Sequence, residues 1–116
     1  MTGVVLVAAG GTLGVLARYG LTIWIQSIWT IAAINLVGSF LLGLLIHLGT
    51  TLDTDVRSGL AVGFIGGFTT LSTLTTQTVL EADSGRPTLA LTYLAVNVLG
   101  GLAMAAAGLF LGRTIS

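Results

Sequence analysis

Residues 63–78, GFIGGFTTLSTLTTQT, set three glycines and eight Ser, Thr or Gln side chains between apolar flanks. Hydrocarbon offers no water to backbone N–H and C=O groups. A glycine-interrupted, hydroxyl-lined segment at membrane depth must therefore face protein, ions or a water-filled path. The run GlyGlyPheThrThr at 66–70 favours a local unwinding, and the carbonyls freed by it are hard ligands suited to Na⁺. Thr69, Thr70, Ser72, Thr73, Thr75, Thr76 and Thr78 point around much of a helix, so they do not all face one lumen. Many are expected to bond back to the carbonyl four residues earlier.

Two amides accompany this segment. Asn35, in IleAsnLeuValGlySer, has two donor hydrogens and an acceptor oxygen to satisfy in a low-dielectric setting. A lone intramembrane Asn also serves as glue between helices. Asn97 poses the same question, and Tyr93 one turn earlier shares its face, with Gly101 continuing that face without a side chain. Arg18 has two readings: a functional charge inside a span, or an arginine near a span end whose stem covers apolar surface while its head reaches water. His47 reads as an interfacial polar residue rather than a ligand or base. No Ser–His–Asp set, paired acids, phosphate loop or metal-ligand cluster can be assembled, so enzyme activity has no support.

The elements that must position these residues follow from composition. The chain has 116 residues, a mean hydropathy of +1.05 and 7% charged residues, against about one quarter charged in an average soluble domain. It reads as an integral membrane protein. A spanning helix takes about 20 apolar residues, so four spans with short connections form one all-α domain over 1–116. The absence of cysteine removes disulfides, thiolate catalysis and soft metal sites. A formal net charge of zero leaves no basic face for nucleic acid or anionic lipid.

Four apolar blocks are expected at about Gly3 to Ile25, Thr30 to Leu48, Val56 to Leu80 and Thr88 to Leu111. The first lacks a basic leader and fits a membrane helix better than a cleaved signal peptide. Trp24 and Trp29 flank a turn at headgroup level, and the loops 49–55 and 81–87 gather all four acidic residues with the single proline. Short connections make successive helices antiparallel and put both termini on one side. Arg57 and Arg113 then stand on the terminal side against Arg86 on the other, with Arg18 near the far end of the first helix. That balance gives insertion almost no instruction, so both orientations are expected, as an antiparallel dimer would use. Most of the 17 glycines lie within spans, where small residues let helices approach closely.

These stretches resemble the small four-helix fluoride channel family known as Fluc or CrcB proteins. GlyGlyThrLeuGlyValLeuAlaArgTyr at 10–19 is similar to the family pattern G-G-x-x-G-x-x-x-R-Y, and AsnLeuValGlySerPheLeuLeuGly at 35–43 to N-x-x-G-S-F-L-L-G. GlyPheIleGlyGlyPheThrThrLeuSerThrLeu at 63–74 is close to G-F-x-G-G-x-T-T-F-S-T-F, and Tyr93, Asn97 and Gly101 follow the four-residue steps of the fourth span. The resemblance covers all four spans in order.

It implies an antiparallel dual-topology dimer in the inner, cytoplasmic membrane, with a break in the third helix and two narrow pores through which fluoride leaves the cytoplasm passively. On this resemblance Asn35, Tyr93 and Asn97 line the pore with Ser72 and Thr73 nearby, and Arg18 lies at the vestibule. The carbonyls of Gly66 and Thr69, contributed by both subunits, hold a central structural Na⁺. The physics is coherent: a small, strongly hydrated anion needs hydroxyl and amide donors in place of water, while a full positive charge in the throat would bind it too tightly to release.

The departures are equally specific. Leu71 and Leu74 occupy the pore positions where the family carries two phenylalanines, and leucine has no ring edge to offer an anion. Gln77 stands where many members have Glu, and Trp29 replaces a common Gly. Phe64 and Phe68 are displaced from the usual positions. The chain is thus expected to work either as a homodimer with an altered pore or as one subunit of a heterodimer, including a degenerate, nonconducting partner. A small dual-topology multidrug transporter is disfavoured, because cation export coupled to protons needs a membrane-embedded carboxylate.

Overall fold

The computed structural model describes residues 1–115 and is all-helical over them. The first span, α1 (Thr2–Trp24), ends where Ile25 turns extended. Ser27 then caps α2 (Ile28–Leu48) by accepting the Trp29 N–H at 3.2 Å, and a 3₁₀ turn, Gly49–Thr51, carries the chain out. The third span is broken into α3 (54–68), which includes a wide π-helical stretch at Gly59–Ile65, and α4 (Leu71–Asp83). The fourth, α5 (Pro87–Ile115), starts with proline at its first turn, where the missing N–H costs nothing, and has a second π stretch at Val96–Gly100. All four spans are long and apolar enough to cross a membrane, and the molecule measures 49 × 30 × 21 Å. Its long dimension matches a bilayer with its headgroup layers, about 40–45 Å.

Two expectations about boundaries are corrected. The acids do not all lie in loops: Asp55 is in the first turn of α3, while Glu81 and Asp83 belong to the last turn of α4. The third span is 30 residues long, so its ends leave the hydrocarbon and carry charge without burying it. Glu81 pairs with Arg86 across the reversal, a hydrogen-bonded contact that raises the arginine's pKa. Gly85, at φ 81°, supplies the left-handed backbone this turn requires. The second correction concerns the break, which falls at Thr69 and Thr70 in extended backbone; the glycine pair Gly66–Gly67 before it is helical.

Close backbone approach explains the glycines. A Cβ on Gly10 or Gly14 would collide with the carbonyl oxygens of Gly59 and Phe64, and one on Gly67 would lie 2.7 Å from the Gly11 oxygen. Glycines at four-residue steps on α1 and α3 thus face one another. Gly43 and Gly108 do the same for α2 and α5, against Ala105 and Phe40 carbonyls. Without a hydrophobic drive between helices in lipid, such close packing is the main source of association. The buried cluster of Ile31, Ala32, Ile34, Phe68, Leu74 and Tyr93 gathers around the break.

Candidate functional site: a clamped helix break between two cavities

The break at Thr69–Thr70 is held by side chains from other spans. Asn35 of α2 accepts the Thr70 N–H at 2.9 Å and donates its amide to the Thr70 carbonyl at 3.2 Å, satisfying both backbone groups of that residue as a paired strand would. The same Asn35 nitrogen donates to Asn97 Oδ1 at 2.8 Å, and Asn97 donates in turn to the Tyr93 carbonyl at 2.9 Å. Thr70 also caps α4, its hydroxyl oxygen accepting the Thr73 N–H at 3.3 Å. Arg18 reaches across from α1 and donates Nε–H to the Gly67 carbonyl at 3.3 Å.

These bonds determine which carbonyls remain. In an uninterrupted helix the Thr70 N–H would serve the Gly66 oxygen, and the Thr73 N–H would serve that of Thr69. Here the first is turned to Asn35 and the second to the Thr70 hydroxyl. The Thr69 N–H goes to Ile65. Gly66 and Thr69 therefore present carbonyl oxygens relieved of helical donors, and Gly66 is exposed on the single chain. Hard, neutral oxygens of this kind fit an alkali cation. Among the described residues no three His, Cys, Asp or Glu side chains come together.

Two cavities flank the break. One, of about 430 Å³, is lined by Asn35, Thr69, Thr70, Leu71, Leu74 and Asn97 among others. The other, of about 570 Å³, is lined by Arg18, Thr22, Gln26, Ser27, Thr73 and Gln77. The residues singled out in the sequence thus separate: Asn35, Asn97, Thr69, Leu71 and Leu74 meet in the first cavity, while Arg18 and Thr73 border the second. Tyr93 is fully buried, edge-on to Trp29 at 5.6 Å between ring centroids, and donates its hydroxyl to Gln77 Oε1 at 2.6 Å. Ser72 is exposed beside the Thr70 hydroxyl, and Gly66 faces outward rather than into either cavity. The remaining hydroxyls behave as expected for a membrane helix: Thr69 bonds back to Ile65 and Thr78 to Leu74.

Thr70 and Gln77 are the residues that sequence reasoning left without a role. The signal for Thr70 was present: a hydroxyl residue directly before a helical stretch, with Thr73 at the position an N-cap serves. Nothing local marked Gln77 as the partner of Tyr93, which is 16 positions away.

Four apolar spans around a polar, side-chain-clamped helix break define a small multi-pass membrane protein of the ion-handling kind, whose chemistry is solvation rather than bond-making. The chain belongs to the CrcB family: the family model described as "CrcB-like protein, Camphor Resistance (CrcB)" matches residues 5–109. It is similar to the protein named Fluoride-specific ion channel FluC of Pseudomonas putida, at 41% identity over 92% of this chain and 94% of the relative. The FluC protein of Thermus thermophilus is 40% identical over 95% of this chain and 93% of its own length. Fluoride-specific ion channel FluC 2 of Bacillus subtilis is 41% identical over 92% of this chain and 85% of its own length.

Proposed function

We propose that this chain is a fluoride channel subunit that lets fluoride leave the cytoplasm passively across the inner membrane, conferring fluoride resistance, and that it works as an antiparallel dimer with Na⁺ at its centre. The observation that carries this reading is the amide-clamped break at Thr69–Thr70 opening onto a cavity with Asn97, in a chain whose named relatives are fluoride-specific channels. Asn97 spends one amide hydrogen on the Tyr93 carbonyl and keeps a second for a ligand in that cavity. Arg18, bordering the other cavity with no carboxylate among its lining residues, draws anions toward the entrance without standing in the narrow part. The freed carbonyls of Gly66 and Thr69, supplied twice by a dimer, would hold the Na⁺ and fix the two breaks against each other.

Fluoride efflux from liposomes carrying the purified chain alone, with chloride as control anion, tests the proposal. Fast fluoride-selective efflux is expected; chloride efflux of similar rate would refute selectivity. A second reading, a heterodimer in which a homologous subunit supplies pore aromatics, is favoured by Leu71 and Leu74, both of which line the first cavity without a ring. It predicts no efflux from the well-folded chain alone and recovery on reconstitution with a phenylalanine-bearing homologue.

A further inference from the structure

The residues nearest the freed carbonyls point to a role distinct from anion contact. Asn35 has no unused amide hydrogen, since one goes to the Thr70 carbonyl and the other to Asn97 Oδ1, and its oxygen is taken by the Thr70 N–H. An amide so committed is poorly placed to donate to a passing anion. What its acceptor bond does instead is remove the N–H that would otherwise close onto the Gly66 carbonyl. Thr70 acts in parallel, its hydroxyl oxygen engaging the Thr73 N–H that would otherwise serve Thr69.

We propose that Asn35 and the Thr70 hydroxyl are positioning residues for the cation site, holding the break open so that the Gly66 and Thr69 carbonyls stay available to Na⁺. This rests on the cation reading above. Two of the three remaining carbonyls of residues 66–70 are already occupied, Gly67 by Arg18 and Thr70 by Asn35, so the clamp also narrows which oxygens are left to face the ion.

The test is the thermal midpoint of the purified protein as Na⁺ replaces N-methyl-D-glucamine at constant ionic strength, for the wild type, Asn35→Leu and Thr70→Val, both near-isosteric. The wild-type midpoint is expected to rise with Na⁺. In each variant the half-saturating Na⁺ is expected to increase about 10–100-fold, the size seen when groups that orient ligands are removed. A lower midpoint in both salts with an unchanged half-saturation would mean a merely structural role and overturn the proposal. A wild type indifferent to Na⁺ would instead overturn the cation reading beneath it. Should neither variant fold, carbonyl ¹³C resonances of the labelled wild type decide: Gly66 and Thr69 should move with Na⁺ while Gly67 and Thr70 stay. Equal movement of all four, or movement of the latter pair alone, would refute the selection.

Discussion

Leu71 and Leu74 are chemically alike and structurally different. Leu71 is 72% exposed on the single chain and Leu74 only 4%, though both border the same cavity. A ring at 71 has room and would offer its positive edge to an anion; a ring at 74 must displace Ile31, Ile34 or Phe68 of the buried cluster. Leu71→Phe is therefore expected to raise fluoride flux in the liposome assay with little change in unfolding midpoint. Leu74→Phe should destabilise the fold by about 1–3 kcal/mol, as overpacking does, measured by denaturant titration in detergent. Tyr93→Phe removes the donor to Gln77 Oε1 and is expected to cost on the order of 1 kcal/mol in the same titration. At this scale the sequence marked Asn35 and Asn97 as amides needing partners. It did not show that they would find each other across 62 positions, which decides how many of their hydrogens remain for an ion.

Helices in this protein are positioned by what they lack. Because the Gly43 and Gly108 positions abut opposing carbonyls, even one methyl group must push α2 and α5 apart. Gly108→Ala is expected to lower the unfolding midpoint and, by displacing α5, to weaken flux as well. An alanine at Gly20, where no atom lies within 4 Å, should leave both unchanged and serves as the control. The third span shows a different division of labour. Gly59, Gly63 and Gly67 keep helical geometry and serve contact with α1, whereas the chain opens two residues after Gly67, where Thr70 caps the next helix and Asn35 takes over its backbone groups. Sequence inspection located the break within a few residues but credited the glycines, because glycine is the usual conformational breaker while the actual cause, a side chain on another span, is 35 positions away.

On the scale of the whole molecule, the alternation of spans puts Arg57 and Arg113 at one end and Arg86 at the other, with Arg18 near the latter. So even a balance predicts insertion in both orientations. The chain has no cysteine, so a single Ser84→Cys reports the far end unambiguously. Labelling by an impermeant thiol reagent is expected from both faces of the membrane; labelling from one face only would exclude an antiparallel dimer. Adding two lysines at the C-terminal end should bias the orientation and reduce flux, because the proposed antiparallel dimer draws one break from each orientation.

Sequence by itself determined the membrane class, the four spans, their alternation and the region of the break. The first three follow from span length and apolar content, local quantities that hydrocarbon enforces residue by residue, and the last was marked, though not caused, by the glycine pair before a hydroxyl-rich run. Only the tertiary structure decided which hydrogen-bonding groups are spent and which are left over. In a solvent without water, each donor that Asn35 commits to Thr70 is one withheld from an ion, and each N–H that Thr70 turns aside frees a carbonyl for one. That accounting exists only once the second, third and fourth spans are side by side.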